Sequence, residues 1–248
     1  MQSHAKRITF EPNANRRTSH HDLGLQISRH PPGRTRRKRH LLVRDTSYAV
    51  KKDGSIHIVS EDYSYKSEPY YTILRQELGG ENIIPCSHDI IDASIVPVCL
   101  ERAKRANVPC CEWGISQGYV PLPAIIYGLN YFAATSDFFV ARDTSQAKDI
   151  IRHVTNNGKY PFCYQHLPSD AEIETCSVIF GKVAHPHDMR EAIAGKVYGE
   201  FPIPLFRMVL VKSDEDYFLS SLSMVKYSQL SEAERSILLA HVSHQEFL

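Results

Sequence analysis

The stretch "LPAIIYGLNYFAATSDFFVARD", Leu122 to Asp143, constrains this chain most. An apolar strand runs into a loop of small and polar residues, and a second strand, Phe138 to Ala141, leaves it. Such a pair requires a sheet, and it leaves a loop free to fold over something. Hairpins of this kind often hold a nucleotide's phosphates, and that use needs a cation on the first strand. The place facing the loop holds Tyr127. The hairpin has either lost a lysine or never held a phosphate.

The rest of the chain supplies the layers around it. Asp53-Gly54 between "SYAVKK" and "SIHIVS" is a strong hairpin signal, and "HLLVRD" before it reads as a further short strand. Tyr70, Ile73, Leu74 and Leu78 have helical spacing, Gly79-Gly80 ends that helix, and "ENIIPC" follows as a strand. This strand-helix-strand unit has the dimensions of a small Rossmann-like layer. Residues 89–107 read as helix broken near Pro97. "VPCCEW" leads into a connecting strand. "DTSQAKDIIRHVTNNG" is a helix capped by Asp143 or Thr144 and stopped by Asn157-Gly158. Strands at "YPFCYQHL" and "ETCSVIFGKVA", a helix at "HDMREAIAGKVYGEF", and a hairpin of "LFRMVLVK" and "YFLSSLSMV" come next. A last helix has Ser231 as its cap and Glu234 in capping-box position. The order predicts an α+β fold in several lobes.

Charge divides the chain. Residues 1–40 carry ten Lys and Arg against Glu11 and Asp22, a balance of +8, and have no hydrophobic period. They read as a disordered basic tail. Its cluster "RTRRKRH" offers phosphate contacts to nucleic acid, although no aromatic residue lies beside it for stacking. The remainder is at −7. No apolar run approaches the roughly 20 residues of a membrane helix, so no membrane partner is expected. The basic N-terminus lacks the apolar segment of a secretory signal. Six cysteines at 86, 99, 110, 111, 163 and 176 show no C-x-x-C spacing. They read as free thiols of a reducing cytoplasm.

Four stretches, in this order, resemble the ATP-grasp superfamily and its RimK-like carboxylate–amine ligases. "YSYKSEPYYTILRQELGGENIIPC" (63–86) resembles the domain that precedes some RimK-like enzymes. "LERAKRANVPCCEW" resembles the step into the ATP-grasp fold, "LPAIIYGLNYFAATSDFFVARDTSQAKDII" its nucleotide-covering hairpin and helix, and "YPFCYQHLPSDAEIETCSVIFGKVA" its hinge strand and the strand after it. Together they cover roughly residues 55–225. The resemblance implies ATP-grasp-like lobes preceded by a small Rossmann-like α/β unit: a tail over 1–40, an α/β domain over 41–90 and an ATP-grasp-like domain over 91–248.

It also implies a chemistry. An ATP-grasp ligase joins a carboxylate to ATP as an acyl phosphate and lets an amine displace the phosphate. The reaction needs cations on the phosphates and Mg²⁺ held by carboxylates. The hairpin lysine falls at Tyr127 and the ribose-binding glutamate at His166, one residue after Gln165. The arginine after the hinge falls near Glu174 or Thr175. The metal-binding pair falls at Ser220 and Leu222, and a further acid near Met208. Every charged position that can be placed has changed, which counts against ATP and Mg²⁺ as cofactors. The expected nucleotide-cleft residues are Tyr127, Asn130, Ser136, Gln165, His166 and Ser220, with no catalytic residue and no metal set assigned.

The expected function is a RimK-like relative without standard ligase chemistry, a binding or regulatory module beside a protein partner. Two alternatives stand: an active carboxylate–amine ligase with relocated ligands, and a nucleic-acid-associated protein using the tail. Asp214, Glu215 and Asp216 read as a solvated turn, and "HPHD" (185–188) as a helix start. Cys86 with His88 and Asp89 suggests a nucleophile and base but shows no orienting third group. No Walker loop, Gly-x-Gly-x-x-Gly or Gly-x-Ser-x-Gly motif is present.

Overall fold

The structure is a computed structural model that describes residues 42–130, 133, 136–185 and 188–243. The basic tail, Leu41, the loop residues Tyr131, Phe132, Ala134 and Thr135, and Pro186 and His187 of "HPHD" lie outside the described residues. All described residues belong to one compact unit.

The first sheet is built on the Asp53-Gly54 turn. Both residues take positive φ (50° and 79°), the twist that a two-residue hairpin requires. Strands β1 (Tyr48–Lys52) and β2 (Ser55–Val59) pair antiparallel across it. Helix α1 (Glu68–Leu78) starts on Ser67, whose hydroxyl accepts from the Tyr70 amide. Strand β3 (Ile83–Ile84) then lies parallel to β2 through two residue pairs. Of the strand expected at "HLLVRD", the described residues 42–45 form none. Asp45 takes φ 59° and Tyr48 Oη accepts the Val43 amide at 2.8 Å, so the chain turns there.

The helical stretch is broken at Ile95, two residues before Pro97. α2 (Ser87–Ser94) and α3 (Val96–Arg105) meet at Ile95, and Pro97 sits in the first turn of α3, where its missing N–H costs nothing. Arg102 of α3 fastens these helices. It reaches Asp89 (2.9 Å), Asp92 (2.8 Å) and Glu200 (2.7 Å), and its guanidinium lies over the Phe201 ring.

The second sheet has the order β4-β7-β5-β6, from β4 (Trp113–Ser116), β5 (Ala124–Gly128), β6 (Phe138–Ala141) and β7 (Phe162–His166). Helix α4 (Thr144–Val154) is capped by Asp143, whose carboxylate accepts from the Ser145 and Gln146 amides. It covers one face of this sheet, packing Ala147 and Val154 on Ala124, Ile126 and Phe162. The third sheet, β10-β9-β8, comprises β8 (Glu172–Ile179), β9 (Leu205–Ser213) and β10 (Asp216–Ser223), turning at Asp214, φ 52°. Helix α5 (Asp188–Glu200) precedes β9 and α6 (Glu232–Ser243) ends the described chain. The α6 capping box closes as expected: Ser231 Oγ accepts the Glu234 amide and the Glu234 carboxylate accepts the Ser231 amide.

What positions the site is the other face of the second sheet. Its Ile125, Tyr127 and Cys163 share one buried cluster with Met208, Leu219 and Leu222 of the third sheet and with Ile58, Ile73 and Ile90 from before residue 91. The two sheets therefore meet across a closed apolar layer, and the same layer continues across residue 90.

Candidate functional site

Along β5 and β7 alternate side chains point to opposite faces. Tyr127 pairs with Cys163 and Ile125 with Gln165, so all four lie on the face toward β10. β10 meets them with an irregularity. Its register with β9 slips between Leu219 and Ser221, leaving Ser220 as an extra residue. Such a bulge turns neighbouring side chains toward the same side, and here it presents both Ser220 and Ser221. The strand is held in place by 109–111, since Leu219 bonds through its amide to Pro109 and through its carbonyl to Cys111.

The result is a closed polar knot. Tyr127 Oη lies 2.7 Å from Ser220 Oγ and 3.1 Å from Ser221 Oγ. Ser220 Oγ donates to Gln165 Oε1 at 2.7 Å, and Gln165 Nε2 donates to the Ser220 carbonyl at 2.8 Å. Tyr127 is 1% exposed; Gln165, Ser220 and Ser221 are 0% exposed. Each member is satisfied by another, which a buried polar group requires. Burial pushes the Tyr127 phenol up, and it pushes the Cys163 thiol beside it up to about 12. The knot is thus built of neutral, hydrogen-bonded groups.

The structure thus brings together three of the six expected residues, Tyr127, Gln165 and Ser220. The other three lie elsewhere. Asn130 Nδ2 donates to the Val154 carbonyl at 2.7 Å and Asn130 Oδ1 accepts the Ala133 amide, so it pins the hairpin loop to the end of α4. Ser136 is exposed and bonds to Asp137. His166 is exposed at the end of β7. The further positions at which the resemblance expects charge divide likewise: Met208 and Leu222 are buried in the core, and Glu174 pairs with Arg190 at 3.3 Å.

Two features escaped the sequence reading. Ser221 joins the knot only because of the bulge, and a bulge leaves no mark in "FLSSLSM" beyond two adjacent serines. Arg102 is the third group that Cys86, His88 and Asp89 were missing: it holds Asp89 from thirteen residues along the chain.

Residues 140–241 match the family model of the RimK-like ATPgrasp N-terminal domain. That span runs from β6 to α6, whereas the sequence resemblance to this domain was carried by 63–86. Among curated proteins none matches the chain. Among solved structures it is similar to the RimK domain ATP-grasp protein of Sphaerobacter thermophilus, with 12% identity, TM-score 0.50, and 70% of this chain and 77% of the other covered. It is also similar to the D-alanine–D-alanine ligase of Bacillus anthracis (10% identity, TM-score 0.52, 70% and 74% covered) and to that of Helicobacter pylori (10%, 0.51, 71% and 65%). At these identities the likeness is one of fold: helices and sheets are arranged as in ATP-grasp ligases. Among the described residues no helix is long and apolar enough to cross a membrane.

Proposed function

We propose that this RimK-like ATP-grasp protein has given up carboxylate–amine ligation and acts as a binding or regulatory module, a pseudoenzyme of the reducing cytoplasm. The observation that carries the reading is the Tyr127–Ser220–Gln165 knot. At the hairpin position where a ligase of this fold needs a cation stands a buried phenol, bonded to the position where it needs a metal ligand. An acyl-phosphate intermediate has no cation to meet it there, and Mg²⁺ no carboxylate. The six free cysteines agree with a reducing compartment.

The test is a thermal-shift titration of the full chain with ATP·Mg²⁺ into the millimolar range. The proposal expects no saturable shift. A saturating rise of several degrees reports ligand binding to the native state and overturns the closed site. ADP or AMP release with a panel of amino acids then tells an active ligase with relocated ligands from a nucleotide-binding scaffold.

A further inference from the structure

Cys86, His88 and Asp89 lie at the start of α2, and their ligand-type atoms all fall within 4.8 Å of one another. We propose that this trio binds a divalent transition-metal ion of the zinc class.

The donor set is one thiol, one imidazole and one carboxylate, the three ligand types that Zn²⁺ takes. Spacing supports it. Bonds of about 2.0–2.3 Å in a tetrahedral site set ligand atoms about 3.3–3.7 Å apart. Cys86 Sγ stands 3.6 Å from His88 Nε2, and His88 Nε2 stands 3.3 Å from Asp89 Oδ1. The contact between sulfur and carboxylate runs to the other oxygen and is shorter, because Cys86 Sγ donates its proton to Asp89 Oδ2 at 2.6 Å, while Oδ1 faces His88 and Arg102. Metal binding replaces that shared proton. The S–H bond breaks, a metal–thiolate bond forms, the proton leaves to solvent, and sulfur and oxygen move apart by about 1 Å to the tetrahedral edge.

The frame around the trio is held on both sides. Arg102 fixes the Asp89 carboxylate through Oδ1, in the manner of an outer partner that orients a ligand. The Glu77 carboxylate accepts the Ser87 amide at 2.8 Å and holds the helix start between the ligands. Asp89 is buried, Cys86 is partly buried, and the His88 side chain is 72% exposed. The ion would therefore sit at the surface with three protein ligands and a coordination position open to water or an external ligand, the pattern of a non-structural zinc site. The reading is independent of whether the space between the sheets holds a nucleotide.

The test uses the full chain, reduced, titrated with Co²⁺ and with Zn²⁺ against a chromophoric chelator. One equivalent should bind, and the cobalt form should show thiolate-to-metal charge transfer. Cys86→Ser should abolish that absorption, and His88→Ala should weaken Zn²⁺ at least tenfold. Because His88 is exposed, His88→Ala should keep the metal-free unfolding midpoint of the parent, which separates a lost ligand from a lost fold. A parent chain that takes up no stoichiometric metal, a Cys86→Ser chain that keeps the absorption, or a His88→Ala chain within tenfold of the parent overturns the site.

Discussion

Replacing Tyr127 by lysine would introduce the charge that phosphate chemistry uses, and the structure says what that costs. Tyr127 is 1% exposed, and the groups bonded to its hydroxyl, Ser220 and Ser221, are neutral. An ammonium there would be a buried charge with no counter-ion among its hydrogen-bond partners. Breaking a buried ion pair, which leaves the same situation, costs about 3–5 kcal/mol. Tyr127→Phe removes only the hydroxyl and leaves the two serines short of a partner, for about 1–3 kcal/mol. In a chain of this size each kcal/mol moves the melting midpoint by about 2–4 °C. Tyr127→Phe should then lose about 4–8 °C at a central 2 kcal/mol, and Tyr127→Lys clearly more. Urea unfolding of the three proteins measures both the midpoint and its slope. The reasoning is refuted by a Tyr127→Lys chain within about 1 kcal/mol of the parent at unchanged slope. Such a chain would mean that solvent reaches between the sheets, and the site would be an open cleft after all.

Two further outcomes follow from the packing. Arg102→Ala strands three carboxylates, Asp89, Asp92 and Glu200, around a partly buried hole; it should cost about 2–4 kcal/mol by urea unfolding, and a loss under about 0.5 kcal/mol, the scale of an ordinary surface change, would show the hub to be ornamental. His57 and His241 both lie against the Phe180 ring, centroids 5.8 and 4.5 Å away, and both have their pKa lowered, first by burial and then by Lys52. Their folded pKa values lie below the unfolded value of about 6.5, so the unfolded chain binds more protons as pH falls. The stability they contribute is complete above about pH 6.5 and is lost as pH drops below it. Melting midpoints from about pH 8 to about pH 5.5 should fall less in a His57→Phe, His241→Phe double variant than in the parent; a profile parallel to the parent's refutes the assignment.

Local signals carried most of the fold. Asp53-Gly54, Ser67, Asp143 and the Ser231–Glu234 box act through their own backbone neighbours, so their effect is written where they stand. "HLLVRD" misled because apolar content alone says nothing of a positive φ at Asp45 or of a tyrosine hydroxyl that takes the Val43 amide from five residues on. The site divides along the same line. That Tyr127, Gln165 and Ser220 stand at related places follows from the order of the strands. That they touch one another depends on how two sheets from distant segments meet and on a slip of one residue in β10, and neither is a local property.

That slip also supplies the physical link between the residues of the knot. A lysine at 127 facing acids on β10 would keep two charged surfaces apart, because closing them would strip water from every charge not perfectly paired. With a phenol, an amide and two hydroxyls in those places each polar atom finds a neutral partner within 3.1 Å, and nothing opposes the apolar contact of Ile125 and Cys163 with Leu219 and Leu222. Neutralising one position would leave its opposite number buried and unpaired, a cost larger than the gain. The four side chains therefore act as a set, and the set closes the contact between the sheets.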